Sequence, residues 1–327
     1  MLYDSLIIGG GPAGLSAALA LGRIRRSTLI FDSGHYRNRG VTAMHTVLSR
    51  DGTPPSQFRA IAREQMAPYT SIEFQEATIV SVQNTEVEPG YLGFKAVGSN
   101  NNTFAGRKLI LATGTEDVLP DHIEGFLDNW PEHIYQCLFC DGFEQKGYPI
   151  GVLGYPHPSY NHLAMMALPF NRDDVTIYSN GAVSSDAAVQ QALKTALASN
   201  VKLDTRPVKR LVNNGEGPEN GITVEFETGP SAKLGMLLHR PPTRNRAQNL
   251  IDQLGLKTGE GSGEVVVDPT FAESSVKGCF VAGDSSELVK QVALAMGAGV
   301  RAAAGVSLQL CNEEGARALA LAESSHL

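Results

Sequence analysis

The chain has 327 residues, 42% hydrophobic and 19% charged, an ordinary globular composition with room for one large or two medium domains. Its formal net charge is −7, and no Lys/Arg run forms a stripe; this argues against nucleic acid as a partner, since phosphate binding needs clustered positive charge. No uninterrupted apolar run approaches the roughly 18 residues that span a bilayer. The chain also enters an apolar strand at once, without a basic leader, so the expectation is a cytoplasmic protein with no membrane partner.

The first forty residues read as one βαβ unit. A strand over Leu2 to Ile8 runs into Gly9-Gly10-Gly11-Pro12-Ala13-Gly14, an Ala/Leu-rich helix follows to Gly22, and a second strand from Ser27 ends at Asp32. The spacing Gly9-x-Gly11-x-x-Gly14, with an acid 18 residues beyond the last glycine, is the pattern of a dinucleotide site. Gly9 makes the tight turn, Gly11 lets backbone approach a pyrophosphate, and Gly14 allows close helix–strand packing. The helix start offers N–H groups to phosphate, and Asp32 would accept from a ribose.

Gly52-Thr53-Pro54-Pro55 breaks the chain before a helix over Ser56 to Met66. Alternating segments follow at Ile72 to Val82 and Tyr91 to Val97, then a strand over Lys108 to Ala112 that ends in Thr113-Gly114-Thr115. Next comes Cys137-Leu138-Phe139-Cys140, a C-x-x-C pair among only four cysteines, too few for a disulfide scaffold. A strand (Ile150 to Leu153), a helix (Tyr160 to Leu168) and a strand (Val175 to Tyr178) suggest a second βαβ unit. A helix over Ser185 to Ser199 and strands near Thr205 to Val212 and Ile222 to Phe226 follow. His239 to Thr243 reads as a linker. Beyond it lie a helix near Gln248 to Leu254, short strands at Glu264 to Val267 and Gly278 to Ala282, and a small-residue helix over Gln291 to Leu310. The class is α/β with parallel sheets. Cys279 and Cys311 sit in apolar segments and read as core filler.

Three segments carry a resemblance. Leu109-Ile110-Leu111-Ala112-Thr113-Gly114 and Gly278-Cys279-Phe280-Val281-Ala282-Gly283-Asp284 resemble segments of flavoproteins with two dinucleotide-binding domains, and Gln136-Cys137-Leu138-Phe139-Cys140-Asp141-Gly142 resembles the active site of low-molecular-weight thioredoxin reductases. The resemblance covers nearly the whole chain. It implies two Rossmann-like domains, the second inserted in the first: 1–115 with 240–327 binding FAD, and 116–239 carrying the cysteine pair. It implies that Asp284 bonds the flavin ribityl chain and that Gln291-Val292 lie near the isoalloxazine ring. It also implies that the pair opens a helix, that Cys140 faces the flavin and Cys137 the substrate, and that Asp141 exchanges a proton.

A zinc site is the alternative use of the pair, because His157 and His162 follow at a finger-like spacing; the strand Ile150 to Leu153 lies between and argues against it. The second nucleotide turn departs from the reductase pattern. It reads Gly154-Tyr155-Pro156-His157-Pro158-Ser159, without the later glycines, and the next strand ends in Ser179-Asn180-Gly181 rather than an arginine cluster. NADPH binding is therefore expected to be lost, with an unfamiliar mode through Arg172 and His157 as the alternative.

Ile134 to Glu144 looks like the fungal gliotoxin-type dithiol oxidases of epidithiodiketopiperazine biosynthesis, as do Phe31-Asp32-Ser33-Gly34, Tyr36-Arg37-Asn38, and Met44-His45 with Asp51. That likeness implies FAD, a small-molecule dithiol, O2 as acceptor and a homodimer. It adds Ser33, Arg37, Asn38 and His45 to the expected cofactor contacts, with His45 also as a base near the pocket. A disulfide reductase fed by NADPH or a protein donor, and a non-catalytic flavin-binding regulator, are the competing readings. Ser325-His326-Leu327 resembles a variant of the peroxisomal tripeptide address.

Overall fold

The computed structural model describes residues 1–261 and 263–324; the C-terminal tripeptide read above as an address lies outside the described residues. The chain divides into two compact units, one of 1–39, 54–116 and 243 onward, the other of 40–53 and 117–242. The stretch 40–53, expected in the first domain, belongs to the second unit. Its membership is set by tertiary contact, which has no local sequence pattern.

The first unit is built on a seven-stranded sheet. Ile72–Glu76, Thr28–Asp32, Leu2–Ile8 and Thr103–Leu111 pair in parallel in that order. Cys279–Val281 adds in parallel to the C-terminal end of Thr103–Leu111, and Tyr91–Gly98 and Ile79–Glu88 continue the sheet antiparallel. The parallel strands are apolar on both faces because both are covered. Ile7, Ile30, Ile110 and Phe280 are buried in one cluster; Leu6, Leu29, Leu109 and Val281 are buried in another. The helices Pro12–Arg23 and Val292–Ser324 share the first cluster. By length and mean hydropathy (1.3) the last helix could cross a bilayer, yet Ala298, Ala302, Val306 and Leu310 are buried in this core. It also runs 14 residues past its expected end at Leu310.

The expected strand at Glu264 to Val267 is absent: Val265 makes only an isolated bridge with Thr258. The expected single segment Ile72 to Val82 is two strands, Ile72–Glu76 and Ile79–Glu88.

The second unit has a five-stranded parallel sheet ordered Lys202–Asp204, Val175–Tyr178, Ile150–Leu153, Met236–Leu238, Ile134–Tyr135. The helices Tyr160–Ala167 and Ala187–Ala198 cover it, the latter capped by Asp186 accepting from the Ala188 and Val189 N–H groups. An antiparallel sheet of Val208–Asn213, Ile222–Phe226 and Ala232–Leu234 completes the unit.

Candidate active site

In the first unit, backbone geometry explains the glycine spacing. Gly9 has φ +120°, and a Cβ there would collide with the Ala112 carbonyl oxygen; a Cβ on Gly14 would collide with the Gly9 carbonyl oxygen. Gly11 is different: a Cβ there would meet no protein atom within 4 Å, so the space before the helix is open. Helix Pro12–Arg23 begins with no side-chain cap on its first N–H groups, Pro12 opens it, and Ala13 is buried. Open space, uncapped donors and close backbone packing fit a dinucleotide pyrophosphate.

Asp32 ends the second strand, 5% exposed. Its carboxylate accepts from the Tyr36 hydroxyl, the Arg63 guanidinium and the Gly34 N–H (2.9 Å). A carboxylate has about four acceptor positions, so a ribose hydroxyl can still be received. Arg63 and Tyr36 were not expected on this acid; Arg63 lies on a helix without any motif. Ser33 is exposed and Asn38 half-buried in the loop that follows. Arg37 Nη1 donates to Asp284 Oδ2 at 3.1 Å. The Ala112-Thr113-Gly114 turn meets the last-strand turn through Ser285, whose hydroxyl lies 3.4 Å from the Thr113 hydroxyl and donates to the Gly114 carbonyl at 3.2 Å. Gly283 and Asp284 stand in that turn, and Gln291 accepts the Ala295 N–H at the start of the last helix, next to Val292. The structure thus gathers the glycine loop, Asp32, Arg37, 112–114 and 283–284 in one unit.

In the second unit, Cys137 and Cys140 form a disulfide with Cα atoms 5.3 Å apart. Cys137 is the N-cap of Leu138–Asp141 and accepts from the Cys140 and Asp141 N–H groups. The helix expected here is a single turn, because Gly142 and the 3-10 turn Phe143–Gln145 follow at once. A helix dipole long enough to tune a thiol is therefore absent. Burial pushes the Asp141 carboxyl up to about 7; the His45 ring opposes this and Glu144 adds to it.

His45 lies in the same unit, on the 40–53 loop. Its Nδ1 is 3.3 Å from Asp51 Oδ2 and its Nε2 3.8 Å from Glu144 Oε1. The zinc alternative does not assemble: the two cysteines bond each other, His157 Nδ1 engages the Ser159 hydroxyl, and among the described residues no group is arranged to hold a metal ion.

The second nucleotide turn is filled by its own residues. Tyr155 is 3% exposed, and its hydroxyl has no hydrogen-bond partner. After the strand Val175–Tyr178, the Ser179 hydroxyl donates to the Gly181 carbonyl and Asn180 accepts the Val208 N–H. Arg206, the nearby cation, forks onto Asp204 and stacks on Phe226 at 3.9 Å. Arg172 is exposed.

Comparison with known proteins agrees with this architecture. The model of the family described as pyridine nucleotide-disulphide oxidoreductase matches residues 3–299. The chain is similar to the thioredoxin reductase tcpT of Claviceps purpurea, 39% identical over 94% of each chain. It is also similar to the thioredoxin reductase sirT of Leptosphaeria maculans, 36% identical over 94% of each. Among solved structures, an oxidoreductase from Agrobacterium tumefaciens matches at 30% identity and TM-score 0.83, covering 95% of this chain and 99% of that one. The crystal structure of HlmI matches at 29% identity and TM-score 0.88, covering 99% and 98%. The chain belongs to the pyridine nucleotide-disulphide oxidoreductase family, as a thioredoxin reductase-like flavoprotein oxidoreductase acting on sulfur groups.

Proposed function

We propose that this protein is an FAD-dependent dithiol oxidase that closes a disulfide in a small-molecule dithiol of secondary metabolism through Cys137 and Cys140, with O2 as acceptor. The observation that carries this reading is a disulfide beside a proton-holding acid, Asp141, in a unit whose second nucleotide turn is occupied by Tyr155 and two prolines. Without a cradle for a pyridine nucleotide, the substrate becomes the natural electron source.

In this reading a substrate thiolate attacks Cys137 Sγ, the Cys137–Cys140 bond breaks, and Cys140 leaves with the electron pair. The second substrate thiol then displaces Cys137 and closes the product disulfide. The substrate loses two electrons and two protons, which the cysteine pair takes up. Asp141, half-protonated near neutrality, can hold or release one of those protons, and His45 is the base for the attacking thiol. Gly9, Gly11, Gly14, Asp32, Arg37 and Asp284 would hold FAD, which supplies a two-electron sink and passes the electrons to O2 as H2O2. A homodimer in the cytoplasm completes the proposal.

Oxygen uptake tests it. A small aliphatic dithiol should drive O2 consumption with one H2O2 per disulfide, without NADPH. The printed names of the relatives favour a second reading, a thioredoxin reductase-like enzyme; NADPH-dependent reduction of a disulfide would establish that one instead.

A further inference from the structure

The 40–53 loop holds His45 in a specific orientation. Met44 donates to the Thr53 carbonyl at 3.0 Å and accepts from the Gly52 N–H at 2.9 Å, closing the loop, while Met44 and Val47 are buried. Thr46, β-branched, has φ +60°, a conformation such residues rarely adopt. Asp51 Oδ1 accepts the Thr46 N–H at 2.8 Å, and Asp51 Oδ2 faces His45 Nδ1 at 3.3 Å. One carboxylate therefore fixes both the turn and one edge of the ring. The other edge, Nε2, faces Glu144, in the turn directly after the disulfide helix.

We propose that Asp51 is a positioning residue for His45, holding Nδ1–H so that Nε2 takes the proton of the incoming substrate thiol and passes it to Glu144 and water. The inference rests on the dithiol oxidase reading. The substrate S–H bond breaks with its proton going to Nε2, the substrate–Cys137 bond forms, and Cys140 departs with the electron pair of the enzyme disulfide. Hydrogen bonds from His45 and the Thr46 N–H hold the Asp51 carboxyl below its ordinary value, so it remains an acceptor. Glu144 is half-exposed, which gives the proton an outlet. The groups facing the ring are Asp51 from its own loop and Asp141 and Glu144 from the disulfide segment; Glu132, Asp141 and Glu144 in turn act on Tyr135.

The test is the pH profile of enzyme-disulfide reduction by dithiothreitol in single turnover, on flavin-loaded protein under anaerobic conditions. Asp51→Asn should lower the rate roughly 10- to 100-fold near neutrality, with flavin absorbance unchanged. It should converge on the parent rate above about pH 9, where thiols ionise unaided. Asp51→Glu should recover part of the loss. His45→Gln should give the same profile, and the double variant should lose no more than either single one. A pH-independent loss, an unchanged profile in Asp51→Asn, or additive losses in the double variant would overturn the assignment. Failure of the parent protein to be reduced by the dithiol at any pH would instead remove the oxidase reading itself.

Discussion

Arg37 donates from Nη1 to Asp284 Oδ2 across 3.1 Å, an ion pair between residues 247 positions apart. It ties the loop after the second strand to the turn after the last one, so the proposed flavin site is closed by side chains from both ends of the chain. Asp284→Ala would leave the half-buried Arg37 without this partner and remove the acid proposed for the ribityl chain. We expect Asp284→Ala to purify with several-fold less flavin per chain, read as the ratio of flavin to protein absorbance. Its far-ultraviolet circular dichroism should stay unchanged. Full flavin occupancy would detach this pair from the cofactor.

A second prediction concerns packing behind the glycine loop. Gly299 of the last helix lies against the Ala13 carbonyl, which a Cβ would strike. Gly299→Ala should push the two helices apart at a cost of about 1–3 kcal/mol. A lower midpoint in urea unfolding, together with weaker flavin retention, is the expected result.

Much of this site was legible in the sequence, and the reasons are local. The Gly9 to Gly14 spacing, the flanking apolar strand and Asp32 all lie within one βαβ unit, where chain order dictates geometry. The same holds for Cys137 and Cys140, three residues apart and bonded. What stayed hidden depends on long-range contact. Arg63 reaches Asp32 from a helix whose sequence carries no binding pattern, and the 40–53 loop joins the second unit through tertiary packing. The single-turn helix after Cys137 was also misjudged, since Leu138, Phe139 and Cys140 are compatible with a longer one and only Gly142 interrupts it.

The raised Asp141 acidity makes a pH prediction. In the folded protein this carboxyl is pushed up to about 7 from the ordinary 3.8, so the stability it contributes is full below about pH 4 and is lost as pH rises towards 7. The loss runs at up to roughly 1.4 kcal/mol per pH unit crossed. Asp141→Asn, neutral throughout, should melt higher than the parent at pH 8 and converge with it at pH 4. Its dithiol oxidation should fall by about 100-fold, and the limb of the rate profile near pH 7 should disappear. Equal melting differences at both pH values would contradict the buried-acid assignment.

Cys137→Ser and Cys140→Ser should each abolish dithiol turnover while keeping the flavin spectrum, because the disulfide is proposed as the port through which electrons enter. Retained turnover in either variant, followed by oxygen uptake, would mean that the dithiol reduces the flavin without the pair.

The most direct test of the central claim is flavin absorbance under anaerobic mixing, with NADPH in one experiment and a small dithiol in the other. The account predicts bleaching by the dithiol alone, reversed on admitting air with stoichiometric H2O2. Rapid bleaching by NADPH, with the dithiol inert, would contradict it and make the protein a pyridine nucleotide-dependent reductase.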